Sequence, residues 1–243
     1  MKKELHIGNL PAYLSRPDDN GKHPGLIVIH EIWGLDPHIK DVTDRLAAEG
    51  YCALAPDLFH AAPFETKIDP GLMAEAANPA TRDEAQKKLR AFFAPFQSPE
   101  FGQQTVAALK TCLDYLQKEE SCNGSIGVIG FCFGGTYSFQ LATQDSRIHA
   151  AVAFYGQPLR AEDIPHLQCP VIAFYGDQDE NLMVTLPQLT EDMRKNGKSF
   201  EAVIYPGAGH AFFNDANPNR YNADAAQDAW KKTLSFLTNN LSR

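Results

Sequence analysis

The sequence predicts an α/β fold: a mostly parallel central sheet with helices on both faces and little or no cap domain. Three observations carry that expectation. Apolar runs of strand length alternate with helix-period segments through most of the chain, and strands separated by helices pair in parallel. The 243 residues and 44% hydrophobic content suit one continuous core, so residues 1–243 are expected to form a single domain. No repeat or low-complexity linker divides them.

The first strand expected is "HPGLIVIHE", ending near His30. "HIKDVTDRLAAEGY" follows as a helix, with Val42, Leu46 and Ala47 on one face and Gly50 as its stop. "YCALAPD" is a short strand, and residues 80–97 and "PEFGQQTVAALKTCLDYLQKE" are helical. "GSIGVIG" is strand and "GGTYSFQLATQ" helix. "HAAVAFYG" and "CPVIAFYGDQD" are further strands, "TLPQLTEDMRKNGK" a helix and "FEAVIYPGAGH" the last strand. The chain closes on an amphipathic helix with Ala226, Trp230, Leu234 and Leu237 on one stripe. The least regular segment, about 60–80, follows a strand end and is expected to overhang the ligand side of the sheet.

Composition narrows the partners. The net charge of −8 disfavours nucleic acid and anionic lipid, which leaves a small molecule. Glu4, His6 and Asn9 interrupt any apolar leader, and runs such as "GLIVI" are too short to span a bilayer. The expectation is a soluble cytoplasmic protein, a monomer or small homo-oligomer. There are five cysteines and no CxxC pair, which argues against a disulfide framework or a thiolate zinc site. Most of the five are expected reduced and buried. With no HExxH, P-loop or GxGxxG in the chain, no metal or organic cofactor is expected.

One cysteine stands apart. Gly130-Phe131-Cys132-Phe133-Gly134 fits the nucleophile-elbow pattern, with cysteine in place of the usual serine. A strand that turns sharply into a helix leaves its nucleophile in a strained backbone conformation, and flanking glycines keep neighbouring Cβ atoms out of the crowded turn. The helix N-terminus beneath Cys132 favours thiolate. A base and an acid that orients it are required, and the elbow pattern sets the chain order as nucleophile, then acid, then histidine. His210, after a strand and a glycine-rich turn, is the candidate base; Asp179 is the candidate acid, with Asp177 as the local alternative. Backbone N–H groups of Phe133 and Ile32 are the candidate oxyanion donors. Glu31 ends an apolar strand close to where the nucleophile should lie.

Four blocks in order, "HEIWGLDPHIKDVTDRLAAEGY" with "ALAPDLF", "IGVIGFCFGG", "YGDQDENL" and "YPGAGHAFFND" with the closing helix, resemble the dienelactone hydrolases (carboxymethylenebutenolidases) of the α/β-hydrolase superfamily. The resemblance implies a Cys132-Asp179-His210 triad. It implies that Glu31 contacts the resting thiol and helps activate it when substrate binds, so the cysteine is protected in an empty site. The implied reaction is hydrolysis of a small lactone or carboxylic ester through an acyl-enzyme thioester, with His210 as general base for water. Family members grip a substrate carboxylate with two arginines. Arg82 lies about where one is expected, but Asn214 stands in the place of the second. Asparagine brings a donor and no charge, so a less charged lactone or ester is as good a candidate as a dienelactone. Trp33 and Phe212, flanking Glu31 and His210, are candidate apolar walls. Two other readings stay open: a non-catalytic ligand-binding or redox-responsive protein, and a thioesterase or peptidase on the same fold.

Overall fold

The structure, a computed structural model, describes residues 1–60, 62–69, 71, 72, 75, 78 and 81–241, the side chains of residues 82 and 83 excepted. Its eight strands are β1 (Lys2–Ile7), β2 (Leu10–Ser15), β3 (His23–Ile29), β4 (Cys52–Pro56), β5 (Cys122–Phe131), β6 (Ile148–Phe154), β7 (Val171–Gly176) and β8 (Phe200–Tyr205). They form one sheet in the order β1-β2-β4-β3-β5-β6-β7-β8. From β3 to β8 every pairing is parallel; only β1 with β2 and β2 with β4 are antiparallel. The helices are α1 (Pro37–Ala48), α2 (Arg82–Phe93), α3 (Pro99–Lys118), α4 (Phe133–Gln144), α5 (Glu180–Lys195) and α6 (Ala223–Leu241), and they flank the sheet.

Local chemistry sets these elements. Leu26, Ile27, Val28 and Ile29 are all fully buried, as a parallel strand covered on both faces requires. The Asp36 carboxylate accepts from the Ile39 N–H at 2.9 Å, with Pro37 at the first helical position of α1. Ser98 caps α3 in the same way, on the Phe101 N–H at 3.2 Å. Phe101, Thr105, Leu109, Cys112 and Leu116 then bury one stripe of α3.

The β1–β2 hairpin lies outside the elements expected from the sequence. Its strands are short and β1 is largely exposed, so no apolar period marks it. The readable signal was the two-residue link Gly8-Asn9 between the paired Ile7 and Leu10, with Gly8 at φ 62°. The expected overhang at about 60–80 falls in part on residues outside the described ones. Within it, Phe64 packs on Phe96 and Phe101 at ring distances of 4.9 and 5.1 Å. Among the described residues, no helix is long and apolar enough to cross a membrane.

The topology positions a site. The chain passes from β3 to β4 on one side and then to β5 on the other. That reversal opens a crevice at the carboxyl ends of β3 and β5. Glu31 follows β3 and Cys132 follows β5. Tyr155, Asp179 and His210 follow β6, β7 and β8, so five strand ends converge there.

Candidate active site

Cys132 sits between β5 and α4 with φ 54° and ψ −110°. That conformation costs an L-residue about 1–3 kcal/mol and persists only where its surroundings over-determine it. They do here. The Cys132 N–H donates to the Phe154 carbonyl at 3.0 Å and the Gly134 N–H to the His30 carbonyl at 3.1 Å. A Cβ on Gly134 would run into the Ile29 carbonyl oxygen, and one on Gly130 into the Gly134 carbonyl. The helix start is thus pressed directly onto the ends of its own strand and its neighbour. The other non-glycine residues with positive φ are Tyr155 at 39° and Ala211 at 64°. Among the described residues, all such strain lies beside Cys132 or His210.

His210 lies between the acid and the thiol. Its Nδ1 is 2.6 Å from Asp179 Oδ2 and its Nε2 is 3.1 Å from Cys132 Sγ. Burial alone would lower its pKa. The bonds and charges of Asp179 and Cys132 outweigh that and raise it from 6.5 to about 10. Asp177, the alternative acid, is taken up elsewhere: its Oδ1 accepts from the Gly207 N–H at 2.8 Å, a turn-capping role.

Glu31 differs from what the resemblance implied. Its carboxylate is buried, and its bonds go to Asn214 Nδ2 at 2.6 Å and the Tyr155 hydroxyl at 3.1 Å. The Cys132 thiol bonds to His210 Nε2 instead. Burial pushes the Glu31 carboxyl up, and the Asn214 and Tyr155 donors oppose that. Asn214 therefore holds Glu31 rather than facing a ligand; it is buried, and its Oδ1 accepts from the Ala216 N–H at 3.1 Å.

A cavity of about 800 Å³ opens beside Cys132, His210, Ile32 and Phe133. The N–H of Phe133 is the first of α4, which the helix cannot satisfy. Neither it nor the Ile32 N–H has a partner among the described residues, so both remain available to a substrate oxygen. Of the expected apolar walls, Phe212 is fully buried against Tyr155 and Tyr205 and belongs to the core. Trp33 is 45% exposed and does not line the cavity. Arg82 opens α2, but its side chain is outside the described residues.

Sequence reasoning passed over His30. It is fully buried, and its Nε2 accepts from the Leu58 N–H at 3.1 Å. The ring proton is thereby placed on Nδ1, which donates to the Glu31 carbonyl at 2.6 Å. That carbonyl and the Ile32 N–H belong to one peptide unit, so His30 fixes the orientation of a candidate oxyanion donor. Burial lowers its pKa and keeps it neutral, as accepting from Leu58 requires. The signal available was a histidine closing an otherwise apolar strand. Tyr155, which closes "AVAFY" in the same way, was also missed.

The remaining cysteines are unlike Cys132. Cys52, Cys112, Cys122 and Cys169 are buried, and Cys132 alone is half-exposed. Burial pushes the thiols up, to about 11 for Cys52 and about 12 for Cys112 and Cys169. Among the described residues, no group of three His, Cys, Asp or Glu side chains is placed to hold a metal ion.

Comparison with known proteins agrees with this architecture. The Dienelactone hydrolase family matches residues 10–241. A Saccharolobus solfataricus protein provisionally named carboxymethylenebutenolidase is 34% identical, over 98% of both chains. A similarly named Escherichia coli K12 protein is 32% identical over 94% of this chain and 82% of its own. Among solved structures, a provisionally named dienelactone hydrolase from Klebsiella pneumoniae superposes with a TM-score of 0.81 at 27% identity, covering 98% of each chain.

Proposed function

The chain belongs to the dienelactone hydrolase family, and on that premise we propose that it cleaves a small lactone or carboxylic ester, with Cys132 as nucleophile, His210 as acid and base, and Asp179 as the group that orients His210. Residues 1–243 would act as one catalytic domain. The observation that carries the reading is the His210 ring, bonded on one side to Asp179 at 2.6 Å and on the other to Cys132 at 3.1 Å.

The chemistry follows from that chain of contacts. The Cys132 thiolate attacks the carbonyl carbon, and the displaced π electrons move to oxygen. The Phe133 and Ile32 N–H groups stabilise that oxyanion. When the intermediate collapses, the alkoxide leaves with the proton of the His210 imidazolium, and a thioester remains on Cys132. The thiolate charge was one of the influences raising the His210 pKa, and acylation removes it. The imidazole, already neutral from giving its proton to the alkoxide, stays neutral, the state in which it can take a proton from water. Hydroxide adds to the thioester, the Cys132 thiolate is expelled, and the acid departs. Glu31 is held by Asn214 and Tyr155 rather than capping the thiol.

This arrangement makes a prediction about the empty enzyme. Iodoacetamide at neutral pH should add one group per chain, at Cys132, without substrate present, and ester turnover should fall in step with the adduct. Intact-mass measurement with peptide mapping reads the first and a chromogenic ester assay the second. An adduct on any other cysteine, or turnover that survives full alkylation of Cys132, counts against the reading.

A further inference from the structure

We propose that the active site continues into a distal region that binds an elongated, uncharged, hydrogen-bonding arm of the substrate. This rests on the hydrolase reading above and names the substrate class that site takes.

Size is the first observation. A lactone of about ten heavy atoms displaces several waters, on the order of 200 Å³ at about 30 Å³ each. The cavity is about 800 Å³, so a single small ring leaves most of it empty.

Shape is the second. One wall is a single face of α4: Phe133, Thr136, Tyr137, Gln140, Thr143 and Gln144, spaced by three and four residues. From Phe133 to Gln144 the helix rises about 16 Å at 1.5 Å per residue. The groove therefore has a proximal end at the nucleophile and a distal end roughly three helical turns away, at 3.6 residues per turn.

Chemistry is the third: the lining combines aromatic rings with amide side chains. Near Cys132 the lining includes Phe96, Phe133, Tyr137 and Tyr155, with Gln97 and Gln157 also on the cavity wall. Farther along α4 lie Gln140 and Gln144, and Gln103 of α3 also lines the cavity. None of these three side chains has a hydrogen-bond partner among the described residues. Each offers a donor and an acceptor. Apart from His210, the charged lining is Arg160 and Asp163. Arg160 Nε is 2.9 Å from Asp163 and its Nη1 3.2 Å from Glu162, so that cation is already matched by two carboxylates. Among the described residues, a substrate carboxylate in this groove meets no unpaired cation. An arm bearing hydroxyl or amide groups meets three open amides.

The test uses p-nitrophenyl esters: the acetate, the octanoate, and suberate esters whose far end is a primary carboxamide or a free carboxylate. Wild-type kcat/KM should be about tenfold higher for the carboxamide-ended arm than for the carboxylate-ended one, and higher than for acetate. In the Gln140→Leu/Gln144→Leu double variant, the ratio of carboxamide-ended ester to acetate should fall about tenfold, the scale of one or two neutral hydrogen bonds. Equal rates for carboxamide and carboxylate arms, or a ratio unchanged in the double variant, overturn the distal site while acetate turnover leaves the hydrolase reading standing. Failure of wild type on all four esters overturns both.

Discussion

Replacing Cys132 with alanine should lower ester turnover by about 10⁴-fold or more, the scale seen when a nucleophile is removed from a triad that acts as a unit. What survives would be the modest catalysis of the oxyanion donors and binding alone. The same position predicts an opposite effect on stability when glycine is used. At φ 54° and ψ −110°, alanine keeps the Cβ and its strain, whereas glycine occupies that region freely. Glycine also loosens the unfolded chain, which opposes the gain by about 0.4–1 kcal/mol. Against strain of about 1–3 kcal/mol, the net expectation is Cys132→Gly more stable than Cys132→Ala by about 1 kcal/mol. Both variants should be inactive. Thermal or urea unfolding of the pair, beside one ester assay, separates function from strain at a single residue. Equal stabilities would mean that the elbow is not strained in solution.

Gly134→Ala should be among the most damaging single-methyl changes in the site. The new Cβ would press on the Ile29 carbonyl oxygen, with the His30 carbonyl close behind. These are backbone atoms of the central strand end and cannot swing aside as a side chain can. Overpacking of this kind costs about 1–3 kcal/mol, and rigid backbone neighbours place this case at the upper end. Relief requires α4 to move away from β3, and that movement carries the Phe133 N–H with it. Turnover should therefore fall more than stability does: kcat should drop in the fraction of variant that remains folded, measured well below its midpoint. A Gly134→Ala protein with wild-type unfolding and wild-type kcat would remove the close helix–strand approach from the account. Gly102 provides the control. A Cβ there meets only the Tyr137 hydroxyl, at 3.5 Å, an ordinary contact, and inside helix α3 Gly102→Ala should unfold no more easily than wild type and up to about 1 kcal/mol less easily.

The parallel part of the fold was legible because buried strands such as "GLIVI" and "VIAFYG" are continuous apolar runs, each bounded by a glycine or polar turn and separated by helix-period segments. The β1–β2 hairpin was not, since an exposed edge strand such as "KKELHI" buries too little for its pattern to show. The placement of Cys132, Asp179 and His210 was legible from strand ends and chain order. Contacts between side chains were harder to read. Asn214 was weighed as a substrate contact because its sequence position aligned with an arginine of the family. In the fold it turns inward to Glu31 at 2.6 Å, which a one-dimensional spacing cannot express. Phe212 was misplaced for a related reason. Beside a positive-φ Ala211 the chain reverses direction, so a neighbour of His210 points into the core. His30 was overlooked because its importance lies in one hydrogen bond to a peptide whose N–H, rather than whose side chain, is the useful group.

On this mechanism a thioester forms on Cys132. Rapid acid quench of the enzyme during turnover of a p-nitrophenyl ester, followed by intact-mass and peptide analysis, tests it directly. The account predicts a population heavier by one acyl group, mapped to the peptide that carries Cys132 and absent from Cys132→Ala. Steady turnover with no acyl adduct on that peptide, or turnover retained by Cys132→Ala, would contradict it.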